Sequence, residues 1–231
     1  MKIKILMIAA VLLTALQISA KQFTMPVGQF SKLSVDDSVN VVYVGGDGSP
    51  SRATYDGDAK YAHAFLITHK GDKLRIQVET AYVGDPELPT IYVYSDFLKN
   101  ASLSADATLT LKSVAPTSEL SVSVMGNGTL IADGLKVTKI GAAIKSGNGT
   151  ISLSGHAQTA DFTMVGNGTI QADRLQAVTV NCKILGQGSI GCWPDEHLKV
   201  RGIGNTKIYY KGTPEIEKKG GGKIFPLETD E

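Results

Sequence analysis

The chain has 231 residues, with 23 basic and 22 acidic side chains and a formal net charge of +1. A balance this even leaves no electrostatic footprint for nucleic acid. Twenty-five glycines among polar β-formers, with no long amphipathic helical period, argue for an all-β fold.

Residues 1–20, M-K-I-K-I-L-M-I-A-A-V-L-L-T-A-L-Q-I-S-A, place two lysines before about a dozen apolar residues and end on a small residue. This is the layout of a secretory signal peptide, expected to be cleaved between Ala20 and Lys21. Removing Lys2 and Lys4 leaves 21 basic against 22 acidic side chains. No later stretch approaches membrane-spanning length, so no membrane span is expected after cleavage. The expected location is outside the cytoplasm: the periplasm, the outer cell surface or the extracellular space.

Residues 21–100 read as an N-terminal β region. F-S-K-L-S-V-D-D-S-V-N-V-V-Y-V, D-K-L-R-I-Q-V-E and P-T-I-Y-V-Y alternate apolar and polar as strands do. Residues 45–50 and 85–89, rich in Gly, Pro and Asp, read as surface loops. A soft boundary falls near residue 100, with one continuous core expected across it.

Residues 101–231 repeat. The knot V-M-G-N-G-T-L at 124–130 returns as K-S-G-N-G-T-I, M-V-G-N-G-T-I, I-L-G-Q-G-S-I and a shortened G-I-G-N-T-K-I. Its first glycines are Gly126, Gly147, Gly166, Gly186 and Gly204, in steps of 21, 19, 20 and 18 residues. Four positions on, an aliphatic always follows: Leu130, Ile151, Ile170, Ile190, Ile208. The run before each knot alternates, as in Leu120, Val122 and Val124. In the second repeat Ile140, Ala142 and Ile144 are shifted by one residue, which predicts a β-bulge. Leu103 with Leu109 and Leu111 fits one step earlier, and residues 220–224 fit one step later.

A period near 20 with inward aliphatics predicts a parallel β-helix or β-solenoid, in which each coil buries its face against its neighbours. Asn and Gly suit the corner because both tolerate left-handed backbone, and the stacked amides can bond from coil to coil. The alternative is an antiparallel sheet of repeated hairpins, since Asn-Gly is also a strong two-residue turn. The cysteines separate the two. Hairpins would set Cys182 opposite Cys192, within reach of a disulfide. The solenoid predicts two free thiols, Cys182 stacked near Phe162 and Cys192 between Ala172 and Tyr210.

The order of F-S-K-L-S-V-D-D-S-V-N-V-V-Y, K-G-D-K-L-R-I-Q-V, T-I-Y-V-Y, serial G-N-G knots and N-T-K-I-Y-Y-K-G-T-P-E-I resembles the head GIN domain family, described as autotransporter adhesins of bacterial envelopes. The likeness covers nearly the whole chain after residue 20. It implies a right-handed β-helix and an adhesive or scaffolding role, with structural rather than catalytic motifs. This sequence puts Asn or Gln where the usual corner is Gly-Ser-Gly.

Catalytic signatures are sparse. His63, His69, His156 and His197 share no ligand spacing, the two cysteines make no zinc pattern, and no cofactor motif is present. Seven residues past each reference glycine lie Asp133, Ser154, Asp173, Trp193 and Lys211. Stacking at about 4.8 Å would put Asp133 and Asp173 about 10 Å apart, with Trp193 beside Asp173. Asp133, Asp173 and Trp193 are therefore the candidate ligand-binding residues, suited to a sugar. A non-catalytic adhesin or scaffold is the leading expectation, with an envelope glycan or a surface protein as partner. A carbohydrate-binding module is second and a carbohydrate-active enzyme last.

Overall fold

The computed structural model describes residues 21–46 and 48–227. The signal-peptide expectation for residues 1–20 lies outside them. The strands are β1 (Lys21–Pro26), β2 (Lys32–Val35), β3 (Val41–Val44), β4 (Arg52–Gly57), β5 (Phe65–Lys70), β6 (Lys73–Val78), β7 (Ile91–Tyr94), β8 (Asn100–Leu103) and β9 (Thr108–Lys112). They continue as β10 (Thr117–Met125), β11 (Thr129–Ser146), β12 (Asn148–Met164), β13 (Asn167–Ile184), β14 (Gln187–Gly202), β15 (Asn205–Tyr210), β16 (Glu215–Gly220) and β17 (Lys223–Pro226).

From β8 onward every pairing is parallel. Partners lie about one repeat apart: Leu109, Leu130, Ile151, Ile170, Ile190, Ile208 and Ile224 form one ladder. The fold is a β-solenoid, and parallel registry excludes repeated hairpins. The long strands β11 to β14 each bend around a corner, so one strand serves two walls.

Residue parity explains why this sequence coils. All of that ladder up to Ile208 is fully buried, each side chain stabilising by roughly 1.5–3 kcal/mol. On the facing wall Phe162 sits between Ala142 and Cys182, a large side chain flanked by two small ones. The one-residue shift in the second repeat appears as a bulge, where Val124 pairs Ile144 but Met125 pairs Ser146. Backbone approach is closest at the corners. A Cβ on Gly188, whose φ is 130°, would lie 2.0 Å from the carbonyl oxygen of Gly168.

The N-terminal region joins the same stack, but out of chain order. β2 lies between β6 and β8, and β3 between β7 and β9, all parallel. Leu33 thus contacts the Leu74 and Ala101 rungs, and one hydrophobic core runs from Phe30 to Ile208. Antiparallel strands close this end: β1 on β4, β4 on β7 and β5 on β6. Phe23 stacks on Tyr55 at 4.9 Å and Phe65 meets the same ring edge-on at 5.0 Å. At the opposite end, β16 and β17 carry Glu215, Glu217, Lys218, Lys219 and Lys223, charges that discourage pairing with a further strand.

Both cysteines are free and buried. Cys182 pairs with Phe162 and Val200, and Cys192 with Ala172 and Tyr210, as the solenoid reading predicts. The neighbouring Cys192 thiol, and then burial, push the Cys182 thiol well above its ordinary range.

Candidate functional site

Two corner rows line the solenoid, and each is held by a different chemistry. At the Asn-Gly corner Asp106 accepts from the Asn127 backbone N at 3.0 Å and from its Nδ2 at 3.1 Å. Asn148 in turn donates its backbone N to Asn127 Oδ1 at 3.2 Å. Asn148, Asn167, Gln187 and Asn205 are in register beyond it. The backbone donor first, and the side-chain amide second, hold the Asp106 carboxyl below its usual range. This row satisfies exposed backbone donors and stitches coil to coil.

The second row holds the candidate residues. Asp133 is exposed and accepts from Ser154 Oγ at 2.8 Å, while that Oγ accepts from Gly134 N at 3.1 Å. Asp173 is half-buried and pairs with Lys211 Nζ at 3.4 Å. The same Nζ lies 5.6 Å from the centre of the Trp193 ring, a cation over an aromatic face. Trp193 is opposite Gln176, because Ala172 pairs Cys192 and the next partners are Gln176 and Trp193. Asp173, Arg174 and Leu175 have no rung on β14, while Arg174 and Leu175 still pair with Ser154 and Gly155 of β12 and Leu175 is buried. Even spacing puts Trp193 beside Asp173; in the structure Lys211 bridges them instead. Asp133 stands apart, engaged by Ser154.

The result is a carboxylate, an ammonium and an indole on one edge, with Asp133 on a neighbouring part of it. The histidines are dispersed. His69 Nε2 meets the Gln29 carbonyl oxygen at 3.0 Å, and His197 lies 3.4 Å from Glu215. Among the described residues no three His, Cys, Asp or Glu side chains gather as metal ligands. No helix among them is long and apolar enough to cross a membrane.

The family described as "Putative auto-transporter adhesin, head GIN domain" matches residues 29–214. The chain belongs to this family. Among the solved structures that share the fold of this head GIN domain protein are three from Bacteroides and Parabacteroides. A "putative adhesin" from Bacteroides fragilis is 23% identical, covering 90% of this chain and 98% of its own, at a TM-score of 0.77. A "putative adhesin" from Parabacteroides distasonis is 21% identical, covering 90% and 96%, at 0.71. A "putative lipid binding protein" from the same organism is 20% identical, covering 92% and 98%, at 0.69. No curated protein matches the sequence. At these identities the likeness establishes the fold.

The sequence reading named the polar edge but passed over the other one. Met125, Val165, Leu185 and Ile203 each directly precede a knot and stand exposed. The signal was an apolar residue recurring at an outward position.

Proposed function

We propose that this head GIN domain protein is exported and acts without catalysis, presenting a rigid surface at the cell envelope for adhesion or scaffolding. Family membership over residues 29–214 carries the reading. The continuous core from Phe30 to Ile208 supports it, since a stack of this kind holds its outward faces in fixed register. The Parabacteroides distasonis relative named for lipid binding widens the partners to include lipid as well as glycan or surface protein. The test is to label residues 21–231 with a fluorophore and measure saturable binding to envelope preparations. Absence of binding, together with retention of the native protein in the cytoplasm, would overturn it.

A second reading makes the Asp173–Lys211–Trp193 edge a glycan-binding site, with Asp133 as an outer contact. It is favoured by an indole beside a paired carboxylate and ammonium, groups that stack on and hydrogen-bond to a sugar. A glycan array read with the wild-type chain and with Trp193→Ala tests it. Retained glycan signal in the variant removes the site, and reducing-sugar release from a bound glycan would reveal an enzyme.

A further inference from the structure

An aliphatic row runs in the open along the Asn-Gly corner. Met125, Val165, Leu185 and Ile203 are 47%, 45%, 50% and 80% exposed. Leu185 N donates to the Met164 carbonyl at 2.7 Å and Ile203 N to that of Ile184 at 2.8 Å, so successive coils turn in step. Val165, Leu185 and Ile203 therefore stand one above another at the strand spacing of about 4.8 Å. The bulge places Lys145 and Ser146 between Met125 and Val165. The turn does not require an apolar residue here, because Ser146 pairs with Met125 and Gly221 follows Ile203 in the next coil. The contiguous three, Val165, Leu185 and Ile203, expose on the order of 300 Å², an area at which a monomer's largest apolar patch is often functional.

Cations flank this ridge. Lys183, Arg201 and Lys219 are in register on the outward face just before the corner, with Lys199 in the adjoining column. Lys207 and Lys223 are in register on the wall that follows it. Glu217 accepts from Arg201 at 3.2 Å and from Lys219 at 3.1 Å. Asp161 is engaged by Lys139 at 3.2 Å and Asn181 at 2.8 Å. Lys183, Lys207 and Lys223 make no ion pair among the described residues, and neither does Lys199, although Glu217 is in register with it. The near-neutral chain thus concentrates positive charge beside its exposed aliphatics.

We propose that this edge docks on an anionic phospholipid bilayer, with the ridge entering the headgroup layer and the lysines pairing with lipid phosphates. Either feature alone fits another partner. A soluble polyanion would satisfy the cations but leave the aliphatics in water, and an apolar protein surface would strand the cations. Only a charged interface over an apolar layer accepts both. The inference rests on the envelope location in the proposed function, not on adhesion.

The test is co-sedimentation of residues 21–231, which hold every described element, with phosphatidylglycerol–phosphatidylcholine vesicles. Removing residues 1–20 keeps an apolar leader from binding lipid by itself. The wild type should sediment with anionic vesicles, release as salt rises, and ignore pure phosphatidylcholine. Leu185→Asp/Ile203→Asp and Lys183→Glu/Lys207→Glu should each weaken binding at least tenfold. Both should melt within a few degrees of wild type, since all four residues are exposed. No wild-type binding to anionic vesicles overturns the proposal, even if envelope preparations still bind. Undiminished binding by the aspartate variant overturns it in favour of a purely electrostatic, polyanion-binding face. A wild-type dimer that the aspartate variant dissolves overturns it in favour of self-association.

Discussion

Replacing Ile170 with aspartate tests the inward ladder directly. Ile170 is fully buried, with Ile151 and Ile190 as its rungs on either side. Removing the side chain forfeits about 2–3 kcal/mol of burial, and a carboxyl among aliphatics must either stay charged at higher cost or take up a proton. The sum, about 4–5 kcal/mol, is near the upper end for a single substitution. At about 2–4 °C per kcal/mol for a chain of this size, the melting temperature should fall by about 10–20 °C. The aspartate's folded-state pKa would lie above its unfolded value. The penalty is therefore complete above the folded pKa and shrinks as pH drops toward the unfolded value of about 3.9. Thr163→Asp is the control: Thr163 faces outward, half-buried, and pairs across the strands with Lys183. Its effect should stay near 0.5 kcal/mol. Melting followed by circular dichroism at pH 7 and pH 4.5 decides. Equal losses in the two variants, or a gap that widens in acid, would refute the assigned parity.

Gly188→Ala should cost more than about 2 kcal/mol, because its Cβ would meet the Gly168 carbonyl at 2.0 Å on left-handed backbone. Gly141→Ala, facing only Ser121 Oγ at 3.4 Å, should melt close to wild type, and a reversed order would contradict the corner geometry. Alkylating the denatured, unreduced protein should add two groups by mass spectrometry, one each at Cys182 and Cys192; an intact mass without additions would mean the walls are bridged. The Asp106 carboxyl is held low by Asn127, so its contribution is present above the ordinary carboxylate range and lost as pH falls through its depressed value. Asp106→Asn should therefore flatten the acid limb of stability, and an unchanged limb would remove that role. N-terminal sequencing of protein recovered outside the cytoplasm should begin at Lys21, and a Met1 start would sink the leader assignment.

The coil was legible because its causes are local. Alternation at Leu120, Val122 and Val124 sets which face is buried, and glycine with a small amide sets the corner, so a 20-residue period announces the stack. The bulge beside Ile144 was visible for the same reason, as one residue too many before a fixed knot. Pairing order was not local. Nothing in residues 32–44 says that they insert between residues 73–94 and residues 100–112, because alternating strands of similar hydrophobicity can pair with many others. The cap made by β1, β4 and β5 depends on that choice. The register shift at Asp173, Arg174 and Leu175 likewise came only from packing: with Leu175 buried, it carries Trp193 to Gln176 rather than Asp173. Residue parity fixed what lies inside each coil. Which charges flank Leu185 and Ile203, and which cation joins Asp173 to Trp193, was decided by the register between coils, because side chains far apart in sequence become neighbours only when strands align.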